Sequence, residues 1–159
     1  MRVFQLNTFC GEKSTGRIAL EIARLVEQDG GQCRIGYGAG TPPKEAEPYA
    51  FRIGSSLERK ICSQLRKLLD YEGRGCYFGT KALIDELERF QPDLVHFHNL
   101  HGCYLHLPSL CDYLTCRQIP IVWTLHDCWP FTGHCAYFDY AHCEKWKTGC
   151  EHCPQQRSY

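Results

Sequence analysis

The sequence predicts an α/β fold in which a parallel sheet is covered by helices on both faces. Short apolar segments alternate along the chain with segments of helical period. The apolar segments are nearly continuous, as strands buried on both faces are. Gly- and Pro-bearing stretches separate them. At 159 residues the chain is one domain's worth and can bury a substantial core.

Taken in order, residues 2–6 (R-V-F-Q-L) read as a first strand. Ser14 or Thr15 caps a helix over 16–29, with Ile18, Ile22, Leu25 and Val26 as its apolar face and Gly30-Gly31 ending it. Residues 33–37 suggest a second strand, 38–48 a Gly/Pro loop and 50–53 a short strand. Leu57, Ile61, Leu65 and Leu68 recur at helical spacing, so 56–70 reads as a helix. Opposite that stripe it carries Arg59, Lys60, Arg66 and Lys67. The reading adopted is a solvated outer face, with contact to an anionic membrane as the alternative. After a Gly-rich turn at 72–79, a helix over 80–90 turns Leu83, Ile84, Leu87 and Phe90 inward. Gln91-Pro92-Asp93 introduces the strand 94–98, Pro108 opens a helix to 116, and 119–125 is a run of β-formers. Strand–helix alternation of this kind gives a Rossmann-like layer sandwich.

Hydrophobic residues make up 43% and charged residues 23%, with 18 basic against 18 acidic, so no overall field draws nucleic acid. The N-terminus has too short an apolar stretch for a signal peptide. The chain therefore reads as cytoplasmic, where its twelve cysteines stay reduced. Cys10, Cys33, Cys62, Cys76, Cys103, Cys111, Cys116 and Cys128 read mostly as small buried hydrophobes.

Three places carry chemistry. The first βα junction, 7–17, is neither G-x-G-x-x-G nor a P-loop, but small residues and Arg17 at a helix start suit either an ordinary cap or a phosphate. In the second, strand alternation puts His96 and His98 on one face. With His126-Asp127 they suggest either a metal-dependent hydrolase or the polar lining of a ligand cleft. The third is Cys135, Cys143, Cys150 and Cys153, spaced C-x7-C-x6-C-x2-C. They point to a structural zinc, with His134, His142, His152 and Cys128 as substitutes. Four protein ligands leave no open position, so such an ion braces the loop at 128–154 and does not catalyse.

The blocks N-T-F-C-G-E-K-S-T-G-R-I-A (7–19), P-D-L-V-H-F-H-N-L-H-G-C-Y-L (92–105) and P-I-V-W-T-L-H-D-C-W-P-F-T-G-H-C (120–135), with the cysteine tail behind them, resemble glycosyltransferase family 4. The likeness is to the acceptor-side N-terminal domain in bacterial enzymes of colanic-acid, capsule and O-antigen assembly. The resemblance implies a GT-B enzyme of two Rossmann domains that transfers sugar with retention and without a catalytic metal. It places Ser14, Thr15, Gly16 and Arg17 at the donor, His126 and Asp127 at the reacting sugar, and His98, Asn99 and His101 on the acceptor side. Lys13 stands where a small glycine is expected.

The resemblance also implies a UDP- or GDP-linked sugar donor and a glycan or lipid-linked acceptor, while peripheral contact with the inner face of the cytoplasmic membrane stays the alternative for the helix over 56–70. The chain is expected to be an incomplete N-terminal domain, 1–159, lacking the C-terminal donor-binding domain and inactive alone. A non-catalytic, zinc-braced binding module is the remaining alternative.

Overall fold

The computed structural model describes residues 1–69, 72–132 and 135–155. The chain falls into two units, Met1–Thr124 and Leu125–Tyr159.

The first unit runs β1 (Arg2–Phe9), α1 (Lys13–Gln28), β2 (Gln32–Ala39), β3 (Ala50–Arg52), α2 (Ser56–Leu69), α3 (Tyr77–Phe90), β4 (Leu94–Phe97), α4 (Leu107–Cys116) and β5 (Ile121–Trp123). The strands form one five-stranded sheet in the order β3-β2-β1-β4-β5. Every pair is parallel; Val3 faces Cys33 on one side and Leu94 on the other. This is the α/β fold that the strand–helix alternation predicts.

Alternation along β1 divides the core. Val3 joins Ala19, Leu20 and Ala23 of α1, with Cys33, Ile35 and Tyr37 of β2, in one buried cluster. Phe4 faces the other way and meets the Phe90 ring of α3 edge-on, with centroids 5.7 Å apart. Leu83 and Leu87 of α3 and Leu110 and Leu114 of α4 are also buried. Burying these side chains is worth roughly 1.5–3 kcal/mol each.

Two helices present faces other than those the periodicity suggests. α1 buries Gly16, Ala19, Leu20 and Ala23, while Ile18 and Leu25 are exposed. Small residues let the helix settle close on the sheet: a Cβ on Gly16 would lie 3.1 Å from the Phe9 carbonyl oxygen. α1 also starts earlier than expected, at Lys13, with Glu12 in the cap position and no side-chain cap from Ser14 or Thr15. Its end matches expectation, since Gly30, at φ +75°, donates its N–H to the Glu27 carbonyl. In α2 the stripe Leu57, Ile61, Leu65 and Leu68 is exposed.

Of the eight cysteines outside the terminal four-cysteine cluster, Cys10, Cys33, Cys62 and Cys76 are buried as expected. Cys103 and Cys128 are half-buried, and Cys111 and Cys116 are exposed on α4. Burial pushes the Cys10 thiol up to about 12 and the Cys33 thiol up to about 11, so both behave as inert hydrophobes.

Among its described residues the second unit has two short 3-10 turns, Asp139–Ala141 and Lys145–Lys147. Phe131, Phe138 and Trp146 pack on one another at its centre, with ring centroids 5.1–6.3 Å apart. Lys145 Nζ donates to the carbonyls of Glu151 (3.1 Å) and His152 (3.0 Å), holding the Cys150–Cys153 segment against the second turn. No described helix is long and apolar enough to cross a membrane.

Candidate active site

In the first unit the carboxyl ends of β1 and β4 lie side by side, where open parallel sheets keep their ligands. Asn7, fully buried, ties together the segments that leave the two strands. Its amide Nδ2 donates to the Phe9 carbonyl (2.9 Å) and to Thr15 Oγ1 (3.2 Å), and its Oδ1 accepts from the Asn99 backbone N–H (3.3 Å). The start of α1 and the loop after β4 are thereby positioned by one side chain. Thr8 adds a second tie, its hydroxyl donating to the His101 carbonyl at 2.9 Å. Tyr104, also buried, donates to the Asn99 carbonyl at 2.7 Å.

The residues expected at the donor, Ser14, Thr15, Gly16 and Arg17, lie in the first turn of α1. Lys13, Ser14 and Arg17 are exposed, Thr15 is half-buried, and Gly16 is buried against Phe9. No acidic residue sits in this turn and no side chain caps it. Backbone N–H groups with two cations nearby suit an anionic phosphate. Lys13 holds φ +56°, a left-handed conformation in which glycine is at ease and lysine is strained.

Beneath this rim is a buried polar layer. His98 Nε2 and Gln5 Oε1 are 2.9 Å apart, and Gln5 Nε2 donates to the Ala19 carbonyl at 2.8 Å. His96 Nε2 lies 2.8 Å from Thr124 Oγ1. The two imidazoles share a face, with ring centroids 4.2 Å apart. His98 is only 1% exposed, so its side chain is part of the layer and not of the open surface, whereas Asn99 and His101 are half-buried above it. Among the described residues no group of three or more His, Cys, Asp or Glu is placed to hold a metal ion.

Sequence reasoning passes over Gln5, Asn7 and Thr8. The signal was present: amides at alternate positions of an otherwise apolar strand must meet buried partners.

His126 and Asp127 belong to the second unit and are half-buried. Asp127 Oδ1 accepts the Trp129 backbone N–H at 3.0 Å, a local turn that orients the carboxylate. In the same unit Cys135, Cys143, Cys150 and Cys153 line one small cavity with Phe138, Lys145, Trp146 and Pro154. Burial raises the Cys135 thiol above its ordinary range, Thr132 pulls it back, and the neighbouring Cys153 and Cys150 push it further up. The thiols converge, but they do not meet the geometry of a metal-binding group. Of the alternative ligands, His142 and His152 are exposed, and His134 lies outside the described residues.

The sequence profile of Glycosyltransferase Family 4 matches residues 15–149. WcaC of Escherichia coli (strain K12), named as a colanic acid biosynthesis glycosyl transferase, is 30% identical over 167 aligned residues that take in 100% of this chain. The chain spans 41% of the length of that relative. No solved structure matches it significantly.

Proposed function

Because this chain belongs to glycosyltransferase family 4, we propose that it forms the acceptor-side half of an enzyme transferring sugar, with retention, from a UDP- or GDP-linked donor. The acceptor is a glycan or lipid-linked saccharide in cell-surface polysaccharide synthesis. The observation that carries this reading is the Asn7 junction, which holds Thr15 of the donor-side turn and Asn99 of the acceptor-side loop on one buried amide. In this reading Ser14, Thr15 and Gly16 offer backbone N–H groups to the donor phosphates, and Arg17 supplies charge. His126 and Asp127 act at the reacting sugar. Asn99 and His101 meet the acceptor, and His98 acts from below as a positioning residue through Gln5. A cytoplasmic location belongs to the same reading, since clustered thiols stay reduced there.

The length of WcaC relative to this chain supports a further, donor-gripping domain as the other wall of the cleft. The 159 residues alone are therefore expected to turn over no nucleotide-sugar, because stabilising the transition state needs both walls. The test is release of UDP or GDP by a polypeptide that joins this chain to the remaining part of its protein. His126→Ala should lower kcat by about 100-fold or more, an effect typical of a residue acting in the transition state. Arg17→Ala should raise KM for the donor with a smaller change in kcat. Wild-type kinetics in His126→Ala would remove it from the chemistry. No turnover with any lipid-linked or glycan acceptor would end the transferase reading.

A structural zinc on Cys135, Cys143, Cys150 and Cys153 is part of this proposal. Four thiols around one cavity support it, and binding would draw them inward toward a tetrahedral set. The purified chain should carry about one zinc per molecule by elemental analysis, as a four-thiolate site does. Cys150→Ser with Cys153→Ser should lose that zinc and the order of the second unit, while His96→Ala should keep it. A chain that carries no zinc when purified under reducing conditions would sink the proposal.

A further inference from the structure

The loop that follows β4 is gripped from two sides. On one side Asn7 and Thr8 of β1 hold Asn99 and His101. The other grip comes from residues 72–76, which read in the sequence as no more than part of a Gly-rich turn. Glu72 Oε1 accepts the backbone N–H groups of Gly102 (3.0 Å) and Cys103 (3.4 Å), and its Oε2 lies 4.0 Å from the Cys103 sulfur. The carboxylate is itself held. Arg66 Nε, from α2, pairs with Oε2 at 3.3 Å, and the two side chains are only 21% and 17% exposed. Cys76, which is buried, donates its S–H to the Cys103 carbonyl at 2.9 Å. Residues 72–76 thus take both the N–H and the C=O of Cys103.

Two observations set this contact apart from ordinary loop packing. The first is backbone shape. Gly102 stands at φ +111° and Cys103 at φ +57°. Successive N–H groups in a turn of this kind converge into a concavity suited to an anion, and the Glu72 carboxylate fills it. A cysteine keeps a left-handed angle only where its surroundings impose it, so the turn depends on what it grips.

The second observation is place. Gly102 and Cys103 directly follow His101, so their anchoring fixes where Asn99 and His101 lie. That pair is proposed to meet the acceptor, and groups with such a task must be held to within about 0.5 Å. Hydrogen bonds to a charged group are the stronger class, and here an ion pair also aims the carboxylate. An ion pair fully in water would contribute little, but this one is mostly covered.

The geometry points to Glu72 as a positioning residue for the acceptor: through Gly102 and Cys103 it fixes Asn99 and His101, and Arg66 holds it there. This rests on the transferase reading. Glu72 itself touches neither donor nor acceptor and acts through the loop alone.

Hydrogen exchange on the chain reads the grip directly. Glu72→Ala should speed exchange of the Gly102 and Cys103 amides by about tenfold or more, since each loses a charged acceptor, and leave those of α1 unchanged. Glu72→Gln keeps an acceptor oxygen in place and should recover most of the slow exchange. The kinetic arm uses a polypeptide that joins this chain to the remaining part of its protein. Its acceptors are octyl glycosides and membrane-extracted lipid-linked saccharides. Glu72→Ala should raise KM for the acceptor by about tenfold, keep KM for the donor within about twofold, and be rescued by Glu72→Gln. A residue that only stabilised the fold would move neither KM. If Glu72→Ala does not fold, Arg66→Gln leaves the carboxylate but loosens it, and should shift exchange and acceptor KM the same way by a smaller factor. The proposal is overturned by unchanged exchange, by faster exchange with an unmoved acceptor KM, or by an equal rise in both KM values. No turnover by the wild type with any of these acceptors strikes the transferase reading, and the acceptor role falls with it. Normal wild-type turnover with an insensitive acceptor KM strikes Glu72 alone.

Discussion

Lys13 shows how a single backbone angle carries a signal that composition hides. At φ +56° its Cβ crowds its own backbone, a cost of roughly 1–2 kcal/mol for an L-residue. The family resemblance calls for a glycine in this stretch, and the angle supplies the physical reason. Lys13→Gly should therefore stabilise the chain by about 1 kcal/mol, or about 2–4 °C in Tm at this size, read from thermal melts. A lower Tm would show that the lysine side chain contributes more than its backbone loses. At the same scale, a helix start near Ser14 and Thr15 is legible, though it comes at Lys13 without a cap from either, and the donor role of Ser14, Thr15, Gly16 and Arg17 is an expectation of the family resemblance. The role of Asn7 is not legible, since it depends on partners 8 and 92 positions away.

At the scale of the element, periodicity locates α1, α2 and α3 but does not say which face is buried. The largest aliphatic residues of α1 are not its inner ones, because close approach to the sheet favours Gly16, Ala19 and Ala23. α2 carries the same kind of apolar repeat outward. Period is a property of one segment, whereas burial is decided by the neighbour across the gap. Tyr104 is a case in point. It lies across Gly38 in β2, and a Cβ there would come within 2.2 Å of the Tyr104 Cβ. Gly38→Ala should therefore destabilise the chain by about 1–3 kcal/mol through overpacking, lowering the urea midpoint. It should also displace Asn99, which the Tyr104 hydroxyl holds. An unchanged midpoint would mean that this corner yields without cost.

For the molecule as a whole, the parallel sheet and its sequence of elements are legible because strand–helix alternation leaves few other ways to bury continuous apolar strands. The second unit offers no periodicity, and only its cysteine spacing and the His126-Asp127 pair can be read. The polar layer of Gln5, Asn7, His96 and His98 also bears on how the chain finds its fold. β1 and β4 pair across some ninety residues, a distant closure that parallel topology makes slow. A slip of one residue in that pairing would push amides and imidazoles into hydrocarbon and leave Phe4 and Leu6 facing the wrong way. Only the native alignment satisfies Gln5 with His98 and Asn7 with Asn99. Those polar side chains thus act as a register key for folding: they penalise every misalignment of the central strands before any ligand is present.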